Sequence, residues 1–212
     1  MKLNPESLLL YAVTNRSHTT SQQDFLTQIK DALAGGVTCV QLREKNLLED
    51  EFTEEAIRVK ELCKSYGVPL LINDNLNVAL NSHADGIHVG KNDCPVSDIR
   101  KRTGKDFIIG ATAKTVAQAQ KAETDGADYL GVGAVFTSPT KTDAIRITSG
   151  QLKEICGSVS IPAIAIGGIC HENIHLLQGS GICGIAVVSA LFCSEDTSGA
   201  ARILKQDILE MI

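Results

Sequence analysis

Eight short apolar, β-prone runs recur along this chain with amphipathic stretches between them. That alternation limits the fold more than any other feature. The runs occupy 9–14, 39–43, 70–73, 86–89, 107–111, 129–135, 163–166 and 184–188. Their near-continuous Val, Ile, Leu and Ala content suits strands covered on both faces. Between them, Phe25, Ile29 and Leu33 follow Ser21 at helical spacing and stop at Gly35-Gly36. The stretch 51–66 carries Phe52, Ala56, Val59, Leu62 and Cys63 on one helical stripe, ended by Gly67 and Pro69. The pattern returns over 115–124, before Gly126, and in a short form over 172–177, before Gly179. Glycines shortly before the next strand at Gly35-Gly36, Gly67, Gly126 and Gly181 form a weak internal repeat. Eight β–α units in 212 residues predict an α/β chain folded as a single (β/α)8 TIM barrel over residues 1–212. An open doubly wound sheet is the alternative, since strand count alone does not close a barrel.

Bulk properties narrow the function. Hydrophobic residues make up 43% and charged residues 21%, as in ordinary globular proteins. The net charge is −5, basic residues form no stripe, and aromatics are only 4%. Nucleic acid is therefore not an expected partner. The run 9–14 is too short for a signal core or a membrane span, so neither secretion nor a membrane is expected. The seven cysteines include no pair at zinc or redox spacing, which points to reduced thiols and a cytoplasmic protein.

Polar residues collect where such a barrel has its site, at the C-terminal strand ends. In Gln41-Leu42-Arg43-Glu44-Lys45, period-2 alternation projects Gln41, Arg43 and Lys45 to one face and Leu42 to the other. Two fixed cations and an amide suit an anionic ligand such as phosphate or pyrophosphate, with a local ion pair to Glu44 as the structural alternative. Asp74 and Asp93 fall after adjacent strands and together suit Mg2+; capping of the next helix by Asp74, or of a turn by Asp93, is the alternative use. Thr112 and Lys114 end the fifth run. Ser138-Pro139-Thr140-Lys141 offers hydroxyls, backbone N–H groups and a cation in one loop. Gly167-Gly168 and Val188-Ser189 end the last two runs, where barrels frequently hold a phosphate. His88, on an inward face among apolar neighbours, reads as a hydrogen-bonded interior histidine. His171 and His175 lie four apart with no third metal ligand evident.

These motifs, in this order, resemble the thiamine-phosphate synthase (thiamine-phosphate pyrophosphorylase) family. The matching pieces are 41–45, Asn73-Asp74, 85–90 with Asp93, 126–129, 138–141, 166–169 and 188–190, covering nearly the whole chain. The resemblance implies a transferase joining 4-amino-5-hydroxymethyl-2-methylpyrimidine diphosphate to a thiazole phosphate, with Mg2+ as cofactor. By that resemblance Gln41, Leu42, Arg43, Glu44, Lys45, Asn73, Thr112 and Lys141 bind the pyrimidine diphosphate. Arg43, Lys45, Lys141 and Thr112 serve catalysis. Asp74 and Asp93 hold the metal, and Ser138, Pro139, Thr140, Gly168, Val188 and Ser189 bind the thiazole phosphate. Asn75 stands where many relatives carry a second Asp, Thr112 where Ser is frequent, and Ser138 where Thr is frequent. The implied partners are small-molecule substrates, with a homo-oligomer compatible. A thiazole tautomerase and a non-catalytic ligand-binding barrel remain as alternatives.

Overall fold

The computed structural model describes residues 3–18, 22–137 and 146–212. Eight parallel strands close into a barrel in sequence order: β1 (Leu10–Val13), β2 (Cys39–Leu42), β3 (Leu70–Asn73), β4 (Gly86–Val89), β5 (Ile108–Ala113), β6 (Tyr129–Gly133), β7 (Ala163–Ile166) and β8 (Gly184–Val187). Closure is direct. Leu10 of β1 registers with Ile185 of β8, and Tyr11 with both Cys39 of β2 and Ala186 of β8. The open doubly wound alternative is thereby excluded.

Helices α1 (Gln22–Ala34), α2 (Glu49–Ser65), α3 (Leu76–Asn81), α4 (Val96–Thr103), α5 (Val116–Thr124), α6 (Ser149–Gly157), α7 (Ser189–Phe192) and α8 (Thr197–Met211) accompany the strands. Side-chain caps set several starts. Thr115 Oγ1 accepts from Gln118 N at 3.2 Å, and Asp196 Oδ1 accepts from Gly199 N at 2.8 Å. Thr148 and Gln151 form a reciprocal capping box. The stretch expected to be helical over 172–177 is instead a single 3-10 turn, Ile174–Leu177. Gly179 and Gly181, both at positive φ, leave too little chain for an α-helix before β8.

Two apolar layers follow from strand alternation. Val40, Leu42, Ile72, Ile87 and Ile109 point outward and pack under Phe52, Ala56, Val59 and Cys63 of α2 and the other helices. Tyr11, Val13, Cys39, Leu71, Tyr129, Ile164 and Ala186 fill the barrel interior, with Leu8 brought in by the turn before β1. Each fully buried Leu or Ile contributes about 1.5–3 kcal/mol, so the outer layer dominates stability. The inner layer carries the polar exceptions.

Candidate active site

A cavity of about 220 Å³ opens at the C-terminal end of the barrel. Gln41 and Arg43 from β2 and the residues just past it, Asn73 from β3, His88 from β4, and Thr112 and Lys114 from β5 line one side. Gly131, Gly133, Ile166, Gly167 and Val188 line the other. Gln41 and Arg43 therefore share a face, as the alternation requires. The Leu42 side chain is fully buried in the outer layer, so only its backbone can serve a ligand. Glu44 also turns away. It accepts from Arg16 Nε at 2.9 Å, and Arg16 continues to Glu55 at 2.9 Å. The local partner of Glu44 is thus Arg16, 28 positions earlier, rather than Arg43 or Lys45. Burial raises the Glu44 pKa, an effect the Arg16 guanidinium opposes.

The rim acids sit on neighbouring strands. Asp74 follows β3 in a left-handed conformation, φ 63°, which Asp tolerates better than most side chains. Its backbone N–H donates to the His88 carbonyl at 2.9 Å, tying the tip of β3 to β4. Its carboxylate accepts from Lys45 Nζ at 2.5 Å and from Asn73 Nδ2 at 2.8 Å. Asp93 closes the turn after β4, accepting from Gly90 N at 2.7 Å, so the turn-capping use of Asp93 is real. The Asp74 pKa is raised, first by burial; Lys45 opposes the rise and the facing Asp93 carboxylate adds to it. Helix capping by Asp74 is not observed. Asn75 is the cap of α3, its Oδ1 accepting from Val78 N at 3.0 Å while its Nδ2 donates to Glu49 at 3.2 Å. An amide at position 75 is therefore spent on the helix end.

Two facing carboxylates form an all-oxygen donor set, which suits a hard divalent cation. Among the described residues no group of three or more His, Cys, Asp or Glu side chains is arranged for a metal. An ion here would complete its shell with water and ligand oxygens, the mode Mg2+ favours. Asn73 Oδ1 is buried without a hydrogen-bond partner among the described residues, an acceptor left for a ligand donor.

Below the rim, five polar side chains connect across the barrel. Gln41 Nε2 donates to Tyr11 Oη at 2.7 Å, and the Tyr11 and Tyr129 hydroxyls lie 2.8 Å apart. Tyr129 Oη is 2.9 Å from His88 Nδ1, and His88 Nε2 is 3.1 Å from Thr112 Oγ1. His88 is thus the hydrogen-bonded interior histidine expected, and burial pushes its pKa down to about 4. Sequence reading did not single out Tyr11 or Tyr129. The available signal was a hydroxyl-bearing ring at an inward position of an aliphatic strand, where a buried phenol requires a partner.

The far side is glycine-built. Gly167 and Gly168 have φ of 105° and 66°, and a Cβ on Gly168 would collide with the Thr137 carbonyl. β7 and β8 are adjacent, so this backbone neighbours Val188 and the start of α7 at Ser189. Ser138, Pro139, Thr140 and Lys141 lie outside the described residues. His171 binds Asp207 at 2.7 Å, away from the cavity.

The sequence model described as thiamine monophosphate synthase matches residues 10–191. "Thiamine-phosphate synthase 2" of Streptococcus pneumoniae is 48% identical over 194 residues, covering 92% of each chain. "Thiamine-phosphate synthase" of Methanobrevibacter smithii is 44% identical over 205 residues, covering 97% of each. Among solved structures, "Thiamine phosphate pyrophosphorylase from Pyrococcus furiosus" superposes with a TM-score of 0.90 at 35% identity, over 98% of each chain. A KDPGal structure at TM-score 0.73 and 16% identity shares the fold alone. With the family model spanning 10–191 and relatives this similar over nearly their full length, the chain belongs to the thiamine monophosphate synthase family.

Proposed function

We propose that this chain is a thiamine-phosphate synthase. It transfers the pyrimidinylmethyl group of 4-amino-5-hydroxymethyl-2-methylpyrimidine diphosphate to the nitrogen of thiazole phosphate, releasing pyrophosphate. The observation that carries the reading is the meeting of Lys45, Asp74 and Asp93 beside a cavity that also presents Gln41, Arg43, Asn73 and Thr112.

Pyrophosphate leaves only when its charge is neutralised. Asp74 and Asp93 would hold Mg2+, which would supply Lewis-acid stabilisation to the departing diphosphate. Arg43 and Lys45, joined by Lys141, hold the diphosphate and stabilise the charge that grows on it. Lys45 has an ion-pair partner in Asp74, so its ammonium is kept at the rim until a diphosphate competes for it. Gln41, Asn73 and Thr112 orient the pyrimidine. Ser138, Pro139, Thr140, the backbone at Gly168, Val188 and Ser189 hold the thiazole phosphate. Loss of pyrophosphate leaves a pyrimidine cation that the thiazole nitrogen captures, so the protein need supply no nucleophile. Alignment of two ligands supplies the rate. Among the described residues that line the cavity there is no Ser–His or Cys–His pair.

We assign the enzyme to the cytoplasm, which its seven free thiols support. No helix among the described residues is long and apolar enough to cross a membrane. The test is direct: incubate purified chain with both substrates and Mg2+ and quantify thiamine phosphate. Product at one equivalent per pyrophosphate released is expected. Isomerised thiazole without coupling would assign the tautomerase activity instead, and folded protein without product would reject the synthase.

A further inference from the structure

We propose that Tyr129 is a positioning residue: through Tyr11 and His88 it fixes Gln41 as a hydrogen-bond acceptor and Thr112 as a donor toward the ring bound in the cavity. The inference rests on the pyrimidine occupying that cavity. Tyr129 is fully buried and does not line the cavity, whereas Gln41, Tyr11, His88 and Thr112 do. Any effect of Tyr129 on the ligand must therefore pass through them.

Each phenol has one proton, so setting one bond sets the rest, and the Gln41 amide, assigned with its nitrogen on Tyr11, gives the file its direction. Tyr11 Oη accepts the Gln41 amide N–H, so its own proton goes to Tyr129 Oη, 2.8 Å away. The Tyr129 proton then goes to His88 Nδ1 at 2.9 Å. An imidazole that accepts at Nδ1 carries its proton on Nε2, and that proton goes to Thr112 Oγ1 at 3.1 Å. The Thr112 proton is left for the cavity. At the opposite end, the Gln41 amide has its nitrogen engaged and offers its carbonyl oxygen.

The two ends are coupled. Inverting one requires every proton in the file to reverse, so the site presents one acceptor and one donor, never two of a kind. A ring with an exocyclic amine and a ring nitrogen acceptor matches the observed direction. A ring with an oxo group in place of the amine carries a ring N–H as well and matches only the inverted file, so binding it requires all five side chains to reverse together. The slot is built for the two rings that carry the file. A Cβ on Gly110 would overlap the Tyr129 ring, and one on Gly131 would come 2.9 Å from His88 Cε1.

Tyr129→Phe keeps the ring in its slot and removes the link. The Tyr11 proton then lacks an acceptor, and rotation of the Gln41 amide, which lets Tyr11 donate to its oxygen, turns the amide NH2 toward the ligand. The measurement is kcat/KM for the 4-amino pyrimidine diphosphate and for its 4-oxo analogue, at saturating thiazole phosphate, in wild type and variant. The amino-over-oxo ratio is expected to fall about tenfold or more in the variant, with the KM for thiazole phosphate within about twofold. Differences in intrinsic reactivity of the two rings cancel in this double ratio. An unchanged ratio, with both substrates losing equally, would overturn the proposal and leave Tyr129 a packing residue. A second measurement needs no variant: 15N NMR of the wild-type His88 side chain should show a protonated Nε2 and an unprotonated Nδ1, and the opposite tautomer would overturn the assignment. Absence of thiamine phosphate formation by wild type would defeat the proposed activity itself; an active wild type with an unchanged ratio defeats only the role of Tyr129.

Discussion

Lys45 Nζ lies 2.5 Å from Asp74 Oδ2, so the cation proposed for the leaving group rests on one of the two acids proposed for the metal. The pair is half-exposed, and its net contribution to stability is small, on the order of 0–1 kcal/mol. In the proposed site, ammonium and metal would compete for one carboxylate. Lys45→Ala is expected to lower kcat by about 100-fold through lost stabilisation of the departing diphosphate. The same change is expected to strengthen Mg2+ binding severalfold, because the competing cation is gone. Steady-state rates and Mg2+ titration by calorimetry check the two signs, and a variant that weakens both would contradict the competition.

Gly168→Ala addresses the opposite wall. Its φ of 66° costs a side chain about 1–2 kcal/mol, and the new Cβ would meet the Thr137 carbonyl. The backbone must shift there, next to Val188 and Ser189. The KM for thiazole phosphate is expected to rise about tenfold while that for the pyrimidine diphosphate stays within about twofold; an equal rise in both would show that the two ligand ends do not divide along these walls.

His88 gives the fold a pH dependence of definite sign. Burial lowers its pKa to about 4, against an ordinary value of 6.5. The unfolded chain therefore binds the extra proton first. Its contribution is intact above about 6.5, is lost progressively as pH falls, and stops changing near 4. The full difference is on the order of 3 kcal/mol. Urea unfolding of wild type and His88→Gln at pH 7 and pH 4 should show wild type losing that much more than the variant. Equal losses would mean that His88 is protonated in the folded state.

Legibility in the sequence followed the range of the interaction. The alternation through Gln41, Leu42 and Arg43 is a local property, and the cavity lining obeys it. The meeting of Asp74 and Asp93 followed from strand order, because successive parallel strands in a closed barrel are neighbours. Choices between adjacent candidates were harder: Asn75, not Asp74, caps α3, because Asp74 takes the left-handed position at the strand tip. Pairings across the barrel were out of reach. Glu44 finds Arg16, and Tyr11 meets Tyr129 across 118 positions, through bonds that no period or motif encodes. Helices α3, α4, α6, α7 and α8 were also not individually read. In α4 only Val96 and Ile99 are buried, too few for a stripe to stand out. The 3-10 turn after β7 shows the same limit, since tertiary packing rather than propensity sets such short elements.

The central claim is that rim acids and cations gather metal and diphosphate as one unit. Calorimetric titration of pyrophosphate into the protein, with and without Mg2+, tests it most directly when wild type and Asp93→Asn are compared. The expected result is that Mg2+ tightens pyrophosphate binding at least about tenfold in wild type and that Asp93→Asn abolishes most of this gain, while thiazole phosphate binds both proteins alike. Pyrophosphate affinity indifferent to Mg2+ in wild type, or a gain that survives Asp93→Asn intact, would contradict the account.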